Sequence, residues 1–325
     1  MKSGFPLYIA KLVQLLASTN LMKTIVLSIV LILALCSDAS AQESGTTKAP
    51  AKVTSSNSEG YVGSLGKNLQ PTQLVVYKRV GDRELKLHLF LPPNWKATDR
   101  RSCFLTIHGG GWIGGDARRM YAFAAHFAKL GMVAASVEYR LAKPGKGVTV
   151  FDCVKDGRSA IRYVRAHSAE LGVDPQRLVV NGASAGGHLA VGAAIFDSIN
   201  EAGEDLEITA KPNAVIPFFP VIDTSKDGYG NARIGTRWQE LSPLHNVRPA
   251  LPPTLIFHGT GDTTTPFQGA KRFHEEMIKA GNLCELEVKD GGAHGYLMSD
   301  QAIFEDTLAK MEAFLSRLKF LPAQA

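Results

Sequence analysis

The 325-residue chain lacks the marks of several large classes. Four Cys are too few for a disulfide-stapled fold. Neither charge sign dominates, with 36 Lys and Arg against 30 Asp and Glu. Three of those Lys (Lys2, Lys11, Lys23) and one acid (Asp38) fall in residues 1–41, leaving 33 against 29 for the rest. No stripe of Lys and Arg interleaved with aromatics is present, so a nucleic-acid partner is not expected. No Gly-Lys-Ser/Thr closes a Walker loop and no G-x-G-x-x-G opens a helix, so no nucleotide cofactor is expected either. His, Cys, Asp and Glu do not cluster at ligand spacing, which leaves no expected metal and no other cofactor. No apolar run reaches the roughly 20 residues of a membrane-spanning helix. What remains, 45% hydrophobic and 20% charged residues, is a globular composition.

The first forty residues form an address rather than a fold. Met22-Lys23 precedes the apolar run 25–36, and Asp38 and Ala39-Ser40-Ala41 follow. A basic start, a short apolar stretch and an A-x-A site make a secretory signal peptide, cleaved after Ala41. Translation is open to a true start at Met22, because Lys11 and Ser18-Thr19-Asn20 interrupt the preceding stretch. The mature protein is therefore expected to be secreted or periplasmic, with no stable membrane span. Cys36 as a lipid attachment site is the rival, but Leu35 is not the small residue such sites want. Cys103, Cys153 and Cys284 remain after cleavage. At least one is unpaired within a monomer, and buried apolar thiols are the simplest role for all three.

Residues 42–71 are expected to be a flexible linker, since 43–60 is rich in Ser, Thr, Ala, Lys and Gly. Residues 72–325 then alternate strands and helices. Two strands, 74–79 and 85–91, flank a turn at Gly81-Asp82, and Leu85, Leu87, Leu89 and Leu91 share one face of the second. Short apolar runs at 103–107, 132–137, 178–180, 214–219, 254–257 and 285–288 resemble buried strands. Helical patterns occupy 117–130, 149–171, 190–196, 268–280 and 302–318. Such βα repetition implies an α/β fold: a mostly parallel sheet with helices on both faces, in one catalytic domain. Residues 222–253 break the rhythm with Asp, Gly, Arg and Pro, as a small cap or loop insertion does.

Three segments carry chemistry. Gly182-Ala183-Ser184-Ala185-Gly186 follows a strand and precedes a helix, which is the context of a G-x-S-x-G nucleophile elbow. Its small residues permit the sharp turn that would expose Ser184. His108-Gly109-Gly110-Gly111-Trp112 ends a strand with three Gly, so its backbone N–H groups can approach a developing oxyanion. Gly110, Gly111 and Ala185 are the expected donors and His108 a brace for the loop, while Trp112 is a candidate substrate-side wall, with a buried structural Trp as the simpler role. Asp262 and His294 each lie just past a strand's C-terminal end, where open α/β sheets place their sites. The order Ser184, Asp262, His294 is that of the hydrolase fold. Asp223, also just past a strand, is the alternate acid.

Together the HGGGW, GASAGG, HGTGD and GAHG segments resemble the α/β-hydrolase esterases, in their hormone-sensitive-lipase-like and feruloyl- or acetyl-esterase-like branches. The similarity covers about 75–318. Tyr139-Arg140-Leu141 and Asp174-Pro175-Gln176-Arg177-Leu178 also look like that group, and the resemblance implies that they position loops. Two departures lean towards the carbohydrate-associated esterases: Ala183 stands where many lipase-like members carry Asp, and their long N-terminal cap is missing. The expectation is a secreted serine hydrolase of short-chain acyl esters, with acetyl or feruloyl groups on carbohydrate among its substrates. An arylformamidase is the alternative on the same fold. A serine peptidase of the prolyl-oligopeptidase type would need a propeller domain. A non-catalytic binding protein would be expected to have lost a triad member, and all three are present.

Overall fold

The computed structural model describes residues 60–321. The signal peptide, the alternative start at Met22, Cys36 and most of the segment 42–71 lie outside the described residues. Within that segment, helix α1 (Tyr61–Lys67) corrects the linker expectation. Val62 is buried, and the Tyr61 ring meets Phe304 at 5.8 Å. Seven residues with Gly at two positions carry no readable helical period, so tertiary packing makes this helix.

Eight strands form one sheet: β1 (Gln73–Val80), β2 (Arg83–Phe90), β3 (Arg101–Ile107), β4 (Val133–Val137), β5 (Val173–Ala183), β6 (Ala214–Phe218), β7 (Thr254–Gly259) and β8 (Cys284–Lys289). Their spatial order is β1-β2-β4-β3-β5-β6-β7-β8. β2 runs antiparallel to both β1 and β4, and every other pair is parallel. The helices are α2 (Tyr121–Lys129), α3 (Val150–Ala166), α4 (Ser168–Leu171), α5 (Ala185–Ile195), α6 (Asn231–Ile234), α7 (Phe267–Lys279) and α8 (Gln301–Arg317).

The strand period of two divides the core into two layers. On β3, Cys103, Leu105 and Ile107 join one cluster with Val154 and Ile161 of α3, Leu189 of α5 and Phe273 of α7. Phe104 joins the other, with Phe127 of α2 and Met311 and Phe314 of α8. Helices therefore cover both faces, as the fold is expected to have. The helical pattern 149–171 divides at His167, and Gly172 ends α4 in the left-handed region at φ +64°. A Cβ at Gly172 would stand 2.6 Å from the Lys96 carbonyl, so the chain turns there on glycine alone. Burial pushes the Cys103, Cys153 and Cys284 thiols up to about 12, and all three are free.

Candidate active site

Ser184 stands between β5 and α5 at φ +55°, ψ −118°. A non-glycine residue at positive φ is strained, and such strain persists only where the surroundings fix it. Here its N–H donates to the Phe218 carbonyl at 2.9 Å, and its own carbonyl accepts from His188 at 3.0 Å. The flanking glycines are required by backbone contact. A Cβ on Gly182 would meet the Gly186 carbonyl oxygen at 2.3 Å, and one on Gly186 would meet that of Ile107 at 2.1 Å.

His294 Nε2 lies 3.0 Å from Ser184 Oγ, and His294 Nδ1 lies 2.7 Å from Asp262 Oδ2. The loops after β7 and β8 meet through glycine, since a Cβ on Gly259 would stand 2.0 Å from the Gly292 carbonyl oxygen. Asp262 Oδ1 accepts from the Thr264 N–H at 2.8 Å and the Thr265 N–H at 2.9 Å. Burial raises the Asp262 pKa, but His258, His294 and the Thr265 N–H outweigh it and hold the carboxyl well below the usual carboxylate range. The edge of Phe219 packs against the His294 ring, with centroids 4.7 Å apart. The geometry thus unites Ser184, His294 and Asp262 in one hydrogen-bonded row. It leaves Asp223 elsewhere, accepting the Ser225 N–H at 2.8 Å.

The glycine loop runs beside this row. A Cβ on Gly109 would stand 3.2 Å from Ser184 Cβ. Gly110, Gly111 and Trp112 have φ of +122°, +58° and +64°. The Gly110 carbonyl is tied back by Ile113 and Gly114 N–H groups at 3.1 and 3.0 Å. Among the described residues, the Gly110 and Gly111 N–H groups meet no backbone carbonyl. Ala185 opens α5, so its N–H falls outside the helical ladder. All three expected donors therefore have N–H groups outside the backbone ladders. His108 is buried, stacks on Tyr139 at 4.4 Å and bonds the Gly109 carbonyl through Nδ1 at 2.8 Å. Burial pushes its pKa down to about 4, so a neutral ring braces the loop. From the Tyr139-Arg140-Leu141 segment, Tyr139 donates to the His108 carbonyl at 3.1 Å. Arg140 grips buried Asp156 through Nε and Nη2 at 2.8 Å each.

Trp112 takes the structural role and not that of a substrate-side wall. It is 0% exposed, with its ring against His188 and Tyr229, so it is core and walls no open surface. The insertion 222–253 reaches the glycine loop by another route. A cavity of about 60 Å³ is lined by Val221, Ile222, Asp223, Tyr229, Thr265 and Arg272, among others. Arg233 Nη1 donates to the Gly111 carbonyl at 2.8 Å, joining insertion to loop. Sequence reasoning missed Arg233 and Thr265. The Thr265 spacing, three residues after Asp262, carried a usable signal, because an Asp oxygen commonly accepts N–H groups two or three residues on.

The comparisons place the chain among esterases. The BD-FAE family model matches residues 87–277. A probable isoprenylcysteine alpha-carbonyl methylesterase of Arabidopsis thaliana is 25% identical over 237 residues, covering 64% of this chain and 48% of that protein. A probable carboxylic ester hydrolase, LipM, of Mycobacterium tuberculosis is 26% identical over 211 residues, covering 59% and 48%. The chain thus spans about half the length of these curated relatives. Among solved structures, Thermogutta terrifontis esterase 2 superposes with a TM-score of 0.74 at 42% identity, covering 78% of this chain and 96% of that one. With the family model matching more than half the chain and the sheet order and elbow already in place, the protein belongs to the BD-FAE family, on an α/β-hydrolase fold.

Proposed function

We propose that the protein is a serine carboxylic-ester hydrolase for short acyl groups. The observation that carries this reading is the row Ser184–His294–Asp262 at 3.0 and 2.7 Å. His294 Nε2 takes the Ser184 proton as Oγ attacks the ester carbonyl. Asp262 holds the ring's tautomer and stabilises the imidazolium. The N–H groups of Gly110, Gly111 and Ala185 stabilise the oxyanion. His294 then protonates the leaving alcohol. Water, deprotonated by the same ring, releases the acid from Ser184.

A long chain needs apolar cover, worth about 0.8 kcal/mol per CH₂, and the insertion 222–253 is instead rich in Asp, Gly, Arg and Pro. The same polar groups suit a carbohydrate alcohol. Support comes also from Thermogutta terrifontis esterase 2, solved with propionate and with butyrate and as an adduct of paraoxon. We place the protein outside the cytoplasm, on the signal at 1–41.

The test is kcat/KM across C2 to C12 p-nitrophenyl esters, with acetylated xylan alongside. An optimum at C2 to C4, acetate release from the xylan and loss of activity with paraoxon are expected. An optimum at C8 or beyond overturns the short-acyl reading. N-terminal sequencing of exported protein should begin at Gln42.

A further inference from the structure

Tyr229 lines the cavity from the insertion, and its hydroxyl meets no partner among the described residues. This hydroxyl is pressed against the oxyanion loop, 2.7 Å from where a Cβ on Gly111 would sit. Any side chain at 111 would displace it, so glycine there serves the hydroxyl as well as the turn at φ +58°. The loop also passes Ser184, since a Cβ on Gly109 would stand 3.2 Å from the serine's own. Two residues further along the same loop, Gly111 meets the Tyr229 hydroxyl.

The phenol is also held in place. Its ring packs on Trp112 at 5.6 Å, and its N–H donates to the Asp223 carbonyl at 2.9 Å. On either side, a Cβ on Gly228 would stand 1.9 Å from that same carbonyl oxygen, and one on Gly230 2.6 Å from the Trp112 ring. The nearby Gly111 carbonyl already accepts from Arg233 at 2.8 Å. A packed phenol whose O–H has no protein acceptor, against the loop that carries the Gly110 and Gly111 N–H groups, is available as a donor there.

We infer that Tyr229 is a catalytic residue, the side-chain donor that joins Gly110, Gly111 and Ala185 on the oxyanion. The inference rests on the ester-hydrolase reading above. As Ser184 Oγ bonds to the carbonyl carbon, the C=O π pair moves onto oxygen. The Tyr229 O–H donates a hydrogen bond to that oxygen and keeps its proton throughout, so the phenol is unchanged when the carbonyl reforms.

The test is Tyr229→Phe in the intact protein, which keeps the ring on Trp112 and removes only the hydroxyl. With p-nitrophenyl acetate, kcat should fall about ten- to hundred-fold, below the span for a lost oxyanion donor in a well-studied protease. KM and the melting temperature should hold. A trifluoromethyl ketone, which captures Ser184 as a tetrahedral adduct, should bind the variant more weakly by a similar factor. Unchanged kcat, a change confined to KM, or unchanged affinity for the ketone overturns the inference. A wild-type protein that cleaves no ester overturns the hydrolase reading instead.

Discussion

Thr265 donates its hydroxyl to Asp262 Oδ2 at 2.9 Å and stands 3.2 Å from His294 Nδ1, so one side chain touches both partners of the acid–base contact. The same oxygen lies 3.1 Å from the Phe219 carbonyl, on the residue whose ring packs against His294. Thr265→Val keeps the shape and removes the hydroxyl. A hydrogen bond to a charged group contributes about 1.5–3 kcal/mol, so kcat/KM should fall roughly ten-fold or more. Thr265→Ser should restore most of it. Equal activity in Val and wild type would show that the hydroxyl positions nothing.

Ser184→Ala should abolish hydrolysis and leave the fold intact. Loss of a triad nucleophile costs about 10⁶ in kcat in the worked subtilisin case. The substitution also removes no packing that the elbow needs, because the turn is held by backbone bonds to Phe218 and His188. Circular dichroism together with p-nitrophenyl acetate turnover decides it. A folded variant keeping several per cent of activity would remove Ser184 from its role.

Asp262→Asn should cost on the order of 10⁴ in kcat, by leaving the imidazole in the wrong tautomer. Asp223→Asn should cost far less, because Asp223 lines the cavity and takes no part in the row. The reverse ranking in purified, folded variants would overturn the assignment.

Stability should fall on acidification from about pH 6.5, the ordinary His value, to about pH 4. Burial pushes both His108 and His188 down to about 4. His188 Nε2 donates to the Leu241 carbonyl at 2.7 Å, and its Nδ1 is buried without a partner. Between the two pH values the unfolded chain binds protons that these folded rings refuse, so stability rises with pH. Each ring accounts for up to about 3 kcal/mol across the window. The depressed Asp262 carboxyl has the same sign at lower pH, stabilising above about 4 and ceasing to do so as pH falls further. Denaturant unfolding from pH 7.5 to 4 measures the slope, and a flat profile contradicts it.

The sheet and the row were legible in the sequence because their signals are local. Alternation marked Leu85, Leu87 and Leu89, and glycine spacing marked Ser184 and the 108–112 loop. Signals that are not local were hidden. The elbow helix was expected from 190, yet it begins at Ala185, because Ala185-Gly186-Gly187 reads as loop while tight backbone approach makes it helix. Trp112 beside the reactive loop left a wall and a buried structural role both open; its burial is set by His188 and Gly230, far along the chain. Nothing local in the sequence marks Tyr229, whose placement on Gly111 follows only from the fold.

Gly230 and Arg233 belong to the insertion, yet they seat Trp112 and hold the Gly111 carbonyl. The segment 222–253 is therefore not an interchangeable module. Recombining it with a relative's insertion swaps out part of the scaffold beneath the reactive loop. A productive graft must bring a glycine where the indole arrives and a donor for the Gly111 oxygen. Without them, a chimera selected for a new substrate would lose turnover on every substrate.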